Sequence, residues 1–448
     1  MLQEDTSDSG KFDWVASYRI EDIGTFSKIL HKRTISNETG IVIAKVPDPE
    51  TTPETVIEKK LNLVNEGFDF SIDASDLGIS DVSFSKDMLV SFGTSYPGYS
   101  GVDYNLLHTD YVDIQYIPDD YEVKVGVIGT GVNVEVSGLI GTVVINDEEI
   151  PNNGIDDDGN GYIDDYLGWN EAEDSGNISD KGNHETQVAS IIAGQRVPDS
   201  RHVGINPDAR LIIVYDSVGG KAVDYCVDRG AEILNMSYYG TQTLLSHLND
   251  FYDNGRLLGI SSAGNDSSYL EKEELNNNQT WTNGFTIGGY DYVVDTRTRE
   301  QDPHSNYGPA IDFAGPYTVR AQGRDEVFGK RYGTSFAAPV FTGIISRLRG
   351  FNPDYTRDEI YDLLETYSIP LDDNTTNLGH GQLDVLSLIN EFVDIEKRYI
   401  EVTNPSVNLL LECHIIRRKT GELYKVVLKY IYSNQIRYPL HHTLFEQN

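Results

Sequence analysis

Between Val123 and about Leu388 the chain repeats one pattern: a short, nearly continuous apolar run, then a stretch whose apolar residues recur at helical spacing and which closes on a glycine. The runs VKVGVIG, ARLIIVYD, AEILNMS, RLLGISSAG, FTIGGY and AIDFAGP are predicted strands. The stretches HETQVASIIAG, KAVDYCVDRG, TLLSHLNDFYDNG and SFAAPVFTGIISRLRG are predicted helices. Strands with so little polar alternation belong in a parallel sheet covered by helices on both faces. Thr356, ahead of Arg357, Asp358 and Glu359, predicts a capping box opening the helix that carries Ile360, Leu363 and Leu364.

The flanks read differently. Residues 1–118 have a strand (GIVIAKVP), a proline-punctuated break (PDPETTPET) and a predicted helix (VIEKKLNLVNEG), a separate α+β module. From residue 394 to 448 apolar and polar positions alternate (LLLECHIIRR, YKVVLKYIY), which predicts a small β-rich extension. The expected division is therefore an N-terminal module at 1–118, a main domain at 119–393 and a tail at 394–448. A chain of 448 residues agrees with that division, since single cores stop growing at about 250–300 residues.

Composition narrows the partners. Acidic residues outnumber basic ones by 71 to 35, and a net charge of −36 repels phosphate backbones and anionic lipid, so nucleic acid is excluded as an expected partner. No apolar run reaches the roughly 18 residues of a membrane span. Cys226 and Cys413 lie in different predicted segments, which argues against a disulfide framework. The start, MLQEDTSDSGKF, lacks the basic head and apolar core of a signal peptide, and the expectation is a cytoplasmic protein or one incorporated into a particle or surface assembly.

Four blocks in the main domain carry candidate chemistry. GNHETQVASIIAG places His184 at the start of an amphipathic helix, NMSYYG follows a strand, ISSAGND puts Asn265 just past a buried strand, and GTSFAAPVFTG puts Ser335 at the mouth of a long helix. Taken singly, such a serine is a cap, such an asparagine a turn and such a histidine a surface residue. In this order, over about 270 residues, the blocks resemble those of the subtilisin-like (subtilase) serine protease family. The resemblance implies a three-layer α/β fold, a mainly parallel sheet between helices. It assigns Ser335 as nucleophile, His184 as general base and the Asn265 amide, with the Ser335 N–H, as oxyanion donors. It places Ser237 and Tyr239 at the substrate cleft, with Tyr239 where the family keeps a glycine. The first 118 residues occupy the place of the family's propeptide and are expected to be retained.

One departure is central. Where the family ends its first strand on an aspartate, this chain has Gly129-Thr130-Gly131, so the acid that orients the histidine is missing. Loss of that acid typically costs about 10⁴ in turnover. Glu185, next to His184, is expected not to replace it, because successive helical residues point about 100° apart. Two readings follow: a pseudoprotease kept as a structural or binding module for a peptide or protein partner in a larger assembly, or a slow or self-processing serine endopeptidase using Ser335 and His184.

The run EIPNNGIDDDGNGYIDDYLGWN is a candidate calcium loop that resembles an insertion in bacterial relatives. Asp156, Asp158, Asn160 and Asp164 match ligand-type positions of an EF-hand loop; Leu167 stands where its bidentate carboxylate belongs, so Asp165 or a more distant group is required to complete a structural site. An acidic, turn-rich surface loop explains the same composition.

Overall fold

The computed structural model describes residues 113–197, 203–215, 220–238, 257–271, 284–293, 298–371, 377–403 and 408–433, the isolated positions Tyr111 and Leu248, and the strands at 41–47, 56–62, 71–73, 83–85 and 441–446. The chain divides into two compact units, one made of residues 1–102 with 393–448 and the other of residues 103–392. The N-terminal module and the C-terminal tail, read from sequence as separate, thus belong to one unit.

In that first unit the strands are β1 (Ile41–Pro47), β2 (Val56–Asn62), β3 (Ser71–Asp73) and β4 (Ser83–Ser85). The stretch VIEKKLN, expected as a helix, is strand β2 and pairs antiparallel with β1 along its whole length. Its β-branched residues and the register Val46↔Ile57 show tertiary pairing overriding a helical spacing that a seven-residue segment carries only weakly.

The second unit holds the predicted alternation. Its strands are β5 (Lys124–Gly129), β6 (Trp169–Asn170), β7 (Arg210–Tyr215), β8 (Ile233–Met236), β9 (Leu258–Ser262), β10 (Gly284–Val293), β11 (Thr298–Gln301), β12 (Phe313–Pro316), β13 (Thr318–Gln322), β14 (Phe328–Tyr332), β15 (Ser368–Ile369) and β16 (Gln382–Leu383). Its helices are α1 (His184–Ala193), α2 (Lys221–Asp228), α3 (Thr334–Phe351), α4 (Arg357–Thr366) and α5 (Val385–Phe392). The predicted helix TLLSHLNDFYDNG lies outside the described residues except for Leu248. The capping box at Thr356 is present, with the Thr356 hydroxyl accepting from the Glu359 N–H and the Glu359 carboxylate accepting from the Thr356 N–H.

The ten-stranded sheet runs β15-β16-β12-β10-β9-β8-β5-β7-β6, with β11 added beside β10. Every pair from β16 to β6 is parallel; β11 and β15 pair antiparallel. Ile128, Ile212, Val214, Leu234 and Met236 share a core with Ala222, Val223, Tyr225 and Cys226 of α2. Helix α1 packs on α3, and α3 lies along β8, β9, β10 and β12. Strand β5 has β7 on one side and β8 on the other, so the chain reverses direction there, and its carboxyl end is the topological switch point where such sheets place their sites.

Back in the first unit, β17 (Val393–Thr403), β18 (Asn408–Arg418), β19 (Leu423–Ser433) and β20 (His441–Glu446) continue a six-stranded sheet of order β2-β1-β17-β18-β19-β20. The chain's two ends meet where β1 pairs antiparallel with β17.

Candidate active site

Gly129 ends β5, Ser237 follows β8 and Asn265 follows β9, so three of the singled-out residues lie at the carboxyl ends of neighbouring strands. Tyr239 lies outside the described residues. Helices α1 and α3 bring the other two to the same end: His184 is the first residue of α1, and Ser335 the second of α3. The His184 ring lies 5.1 Å from that of Phe336, the residue after Ser335, with a tilt of 49°.

The start of α3 is held by a buried polar chain. Pro339, inside the helix, has no N–H to give to the carbonyl four residues back, which is that of Ser335. The Ser237 hydroxyl donates to that carbonyl instead, at 2.7 Å. Ser237 in turn accepts from Asn235 Nδ2 at 3.0 Å, and Asn235 Oδ1 accepts from the Thr342 hydroxyl at 2.8 Å. Ser237 therefore positions the Ser335 backbone. Just ahead, Gly333 adopts φ 133° and ψ 155°, a conformation open essentially to glycine alone. Asn265 Oδ1 accepts from the Thr334 N–H at 2.9 Å and from the Thr334 hydroxyl at 3.1 Å. Asn265 is thereby anchored through its oxygen, and it is exposed.

The expectation for Glu185 is corrected. His184 Nδ1 lies 2.8 Å from Glu185 Oε1. A Cβ built on Gly129 would stand 2.5–2.6 Å from Glu185 Oε1, Cδ and Cγ, so the glutamate runs through the space an aspartate side chain would fill. The 100° rule constrains Cα–Cβ directions, not the end of a side chain with two methylenes and an empty pocket to enter. The other oxygen, Oε2, accepts a hydrogen bond from the Thr130 hydroxyl. Glu185 is only 4% exposed. Burial pushes its carboxyl up, but hydrogen bonds from His184 and Thr130, with the His184 charge, outweigh burial and hold it below the ordinary glutamate value.

The loops around this pair are fixed. Gly131, at φ +87°, passes against the Ile178 and Ser179 carbonyls, where a Cβ would come within 2.5 and 2.7 Å. Asp180 Oδ1 accepts from the Gly182 and Asn183 N–H groups at 2.8 and 2.6 Å, and its Oδ2 accepts from the Thr186 hydroxyl. The first turn of α1 is thereby tied to the loop before it.

These observations meet a family assignment. Residues 120–384 match the model of the subtilase family, more than half of the chain. The chain belongs to the subtilase family. This subtilase is 25% identical over 309 residues to the subtilisin-like protease 1 of Plasmodium berghei, covering 62% of this chain and 51% of that protein. It is 26% identical over 284 residues to the major intracellular serine protease of Bacillus subtilis, covering 58% of this chain and 80% of that one. Among solved structures, the epidermin leader peptide processing serine protease of Staphylococcus aureus aligns with a TM-score of 0.49 at 16% identity, over 66% of this chain and 83% of that one. The chain spans about half the length of the Plasmodium relatives it matches. Among the described residues no helix is long and apolar enough to cross a membrane.

In the acidic loop of the subtilase, Asp158 of the expected quartet clusters with Asp165, the expected completing residue, and with Glu149. Glu149, Asp158 and Asp165 each bring an oxygen within 4.8 Å of the others. Asp156 is occupied with the loop backbone, accepting from the N–H groups of Gly159, Asn160 and Gly161 at 2.8–3.0 Å. Asp164 accepts likewise from Asn153 and Gly154 at 2.9 and 3.0 Å, and Asn160 donates its Nδ2 to Asp158 at 2.9 Å. Glu149 is 3% exposed; its Oε1 accepts from the N–H groups of Asp157 and Asp158, while Oε2 is buried with no hydrogen-bond partner. A buried carboxylate oxygen left over beside two further carboxylates fits a hard, oxygen-seeking cation such as calcium. Sequence reading missed Glu149, which falls outside the twelve-residue template, and undervalued Glu185. The signal for Glu185 was a pair of departures from the pattern the resemblance implies: a glycine at 129 where it expects an aspartate, and a glutamate at 185 where it expects a glycine.

Proposed function

We propose that this subtilase is a working serine endopeptidase of the subtilisin type, with Ser335 as nucleophile, His184 as base and Glu185 as the acid member of the triad. The observation that carries the reading is the buried Glu185 carboxylate on His184 Nδ1 at 2.8 Å. A carboxylate there fixes the tautomer that leaves Nε2 free to accept a proton, and stabilises the imidazolium that then forms. The pseudoprotease reading rests on the missing acid at Gly129 and on Tyr239; the Glu185 carboxylate beside His184 Nδ1 supports the endopeptidase over it by offering an acid at that place.

In the proposed reaction Ser335 Oγ attacks the carbonyl carbon of a peptide bond while its proton passes to His184 Nε2. The carbonyl oxygen, now negative, takes hydrogen bonds from Asn265 Nδ2 and from the Ser335 N–H at the start of α3. The imidazolium returns the proton to the departing amine nitrogen, and the acyl group stays on Ser335. Water, deprotonated by the same histidine, then releases the acid and restores Ser335. Glu185 remains ionised throughout, in keeping with its lowered proton affinity.

Calcium is proposed as a structural ion held by Glu149, Asp158 and Asp165, where it would offset three clustered negative charges and stiffen the loop. Peptides or proteins are the proposed substrates. Labelling by a fluorophosphonate probe, with calcium present, tests the reading: the native chain labels, Ser335→Ala does not, and Glu185→Gln labels about 10³–10⁴-fold more slowly. A native chain that neither labels nor cleaves unfolded casein would return the protein to the binding-module class.

A further inference from the structure

We infer that Thr130 is a positioning residue of this catalytic site: its hydroxyl grips the second oxygen of Glu185 and so aims the first at His184. The inference rests on the reading of His184 and Glu185 as base and acid. Its physical ground is a difference between the two acids. An aspartate on the end of β5 would have two side-chain rotors and a strand for a base, whereas a glutamate brings one rotor more and reaches its place from a neighbouring element. An extra rotor left free costs alignment, because each unfixed torsion spreads the carboxylate over more orientations. A carboxylate held at one oxygen can still swing about that contact; held at both, its plane is defined.

Thr130 meets the requirement. Its hydroxyl donates to Glu185 Oε2 while His184 Nδ1 meets Oε1. Its backbone is itself fixed, by a bridge to Tyr215 at the end of β7 and by accepting from the Lys181 N–H at 3.5 Å. The Thr130 N–H also contributes to holding the carboxylate in its charged form. With no side chain on Gly129, nothing stands between this turn and the glutamate. The Gly129-Thr130 pair has thus become the receptor for an acid that comes from the helix. Thr130 is exposed, so replacing it leaves the core untouched.

The test compares the full-length native chain with Thr130→Val, Thr130→Ser and Glu185→Gln, by the saturating rate of fluorophosphonate labelling at Ser335 and by the low-field proton resonance of His184 Nδ1. Thr130→Val is expected to slow the saturating rate roughly tenfold to a hundredfold, the range of one charge-assisted hydrogen bond, with unchanged half-saturation. It is also expected to broaden or shift the Nδ1 proton signal, while Thr130→Ser, which keeps the hydroxyl, stays within about threefold of the native rate. If Glu185→Gln is slow but Thr130→Val labels at the native rate with an unmoved resonance, the inference on Thr130 is overturned and the triad stands. If the native chain does not label, the endopeptidase reading fails, and the Nδ1 signal still decides whether Thr130 holds the carboxylate. Equal loss in the Val and Ser variants would mark a packing role and would also overturn the inference.

Discussion

On the proposed reading, Gly129 and Glu185 form one exchange. The space for a carboxylate beside His184 has room for one side chain, since a Cβ at Gly129 would lie 2.5–2.6 Å from atoms of Glu185. Restoring the family's aspartate by Gly129→Asp is therefore expected to lower activity by an order of magnitude or more, by crowding two carboxylates into one pocket. Glu185→Gly alone should cost about 10³–10⁴. The double variant Gly129→Asp/Glu185→Gly should regain much of the loss, because the acid returns to the strand. Labelling rates of the four proteins make a double-mutant cycle; simple additivity of the two changes would contradict the exchange.

At the scale of the element, α3 illustrates how a helix that begins a site is held at both ends. Its start hangs on Ser237, and Ser237→Ala leaves the Ser335 carbonyl and Asn235 Nδ2 each short of a partner, at an expected cost of about 1–3 kcal/mol in urea unfolding. Nearer its end the buried Arg347 donates to the Ile117 and Gln115 carbonyls and to Asp119 and Asp208. Arg347→Met, which strands the Asp119 carboxylate, is expected to cost about 3–5 kcal/mol in the same measurement. Strand β10 adds a pH dependence. Burial first, then the neighbouring Asp302, raises the Asp291 carboxyl to about 6 against the opposing hydrogen bond from Thr318. A carboxyl whose proton affinity is higher folded than unfolded takes up a proton on folding. Its contribution is full below the ordinary aspartate value and is lost as pH rises through about 6. Asp119, raised to about 6 by burial, acts in the same sense. Unfolding at a series of pH values should show stability falling across that window, and Asp291→Asn should flatten part of the fall.

For the whole molecule, charge sets the conditions. A net charge of −36 works against compactness, and the Glu149, Asp158 and Asp165 cluster concentrates some of it in one loop. Calcium is expected to stabilise the fold by about 2.7–4.1 kcal/mol at 100–1,000 times its dissociation constant, and so to raise the melting temperature. Glu149→Gln should abolish most of that gain. Melting curves with calcium and with chelator check both, and an equal gain in the variant would move the ion elsewhere.

Much of this protein was legible before folding was considered. Strands β5, β7, β8, β9, β10 and β12 of the parallel sheet follow from apolar runs, and α1 and α3 from helical spacing, because burial on two faces or one stripe leaves a periodic mark in the sequence itself; the two-residue strands β6 and β16 are too short to leave one. The blocks around His184, Asn265 and Ser335 fall where the topology gathers strand ends and helix starts. The partner of His184 was not legible: whether Glu185 reaches it depends on an empty volume behind Gly129 and a hydroxyl on Thr130, separated from it by 55 residues. The strand at Val56–Asn62, the pairing of β1 with β17 and the buried oxygen of Glu149 belong to the same class. Local pattern determined the elements, since each records its own burial; the contacts between elements decided the chemistry, since a space left by one side chain is written nowhere in the sequence of the one that fills it.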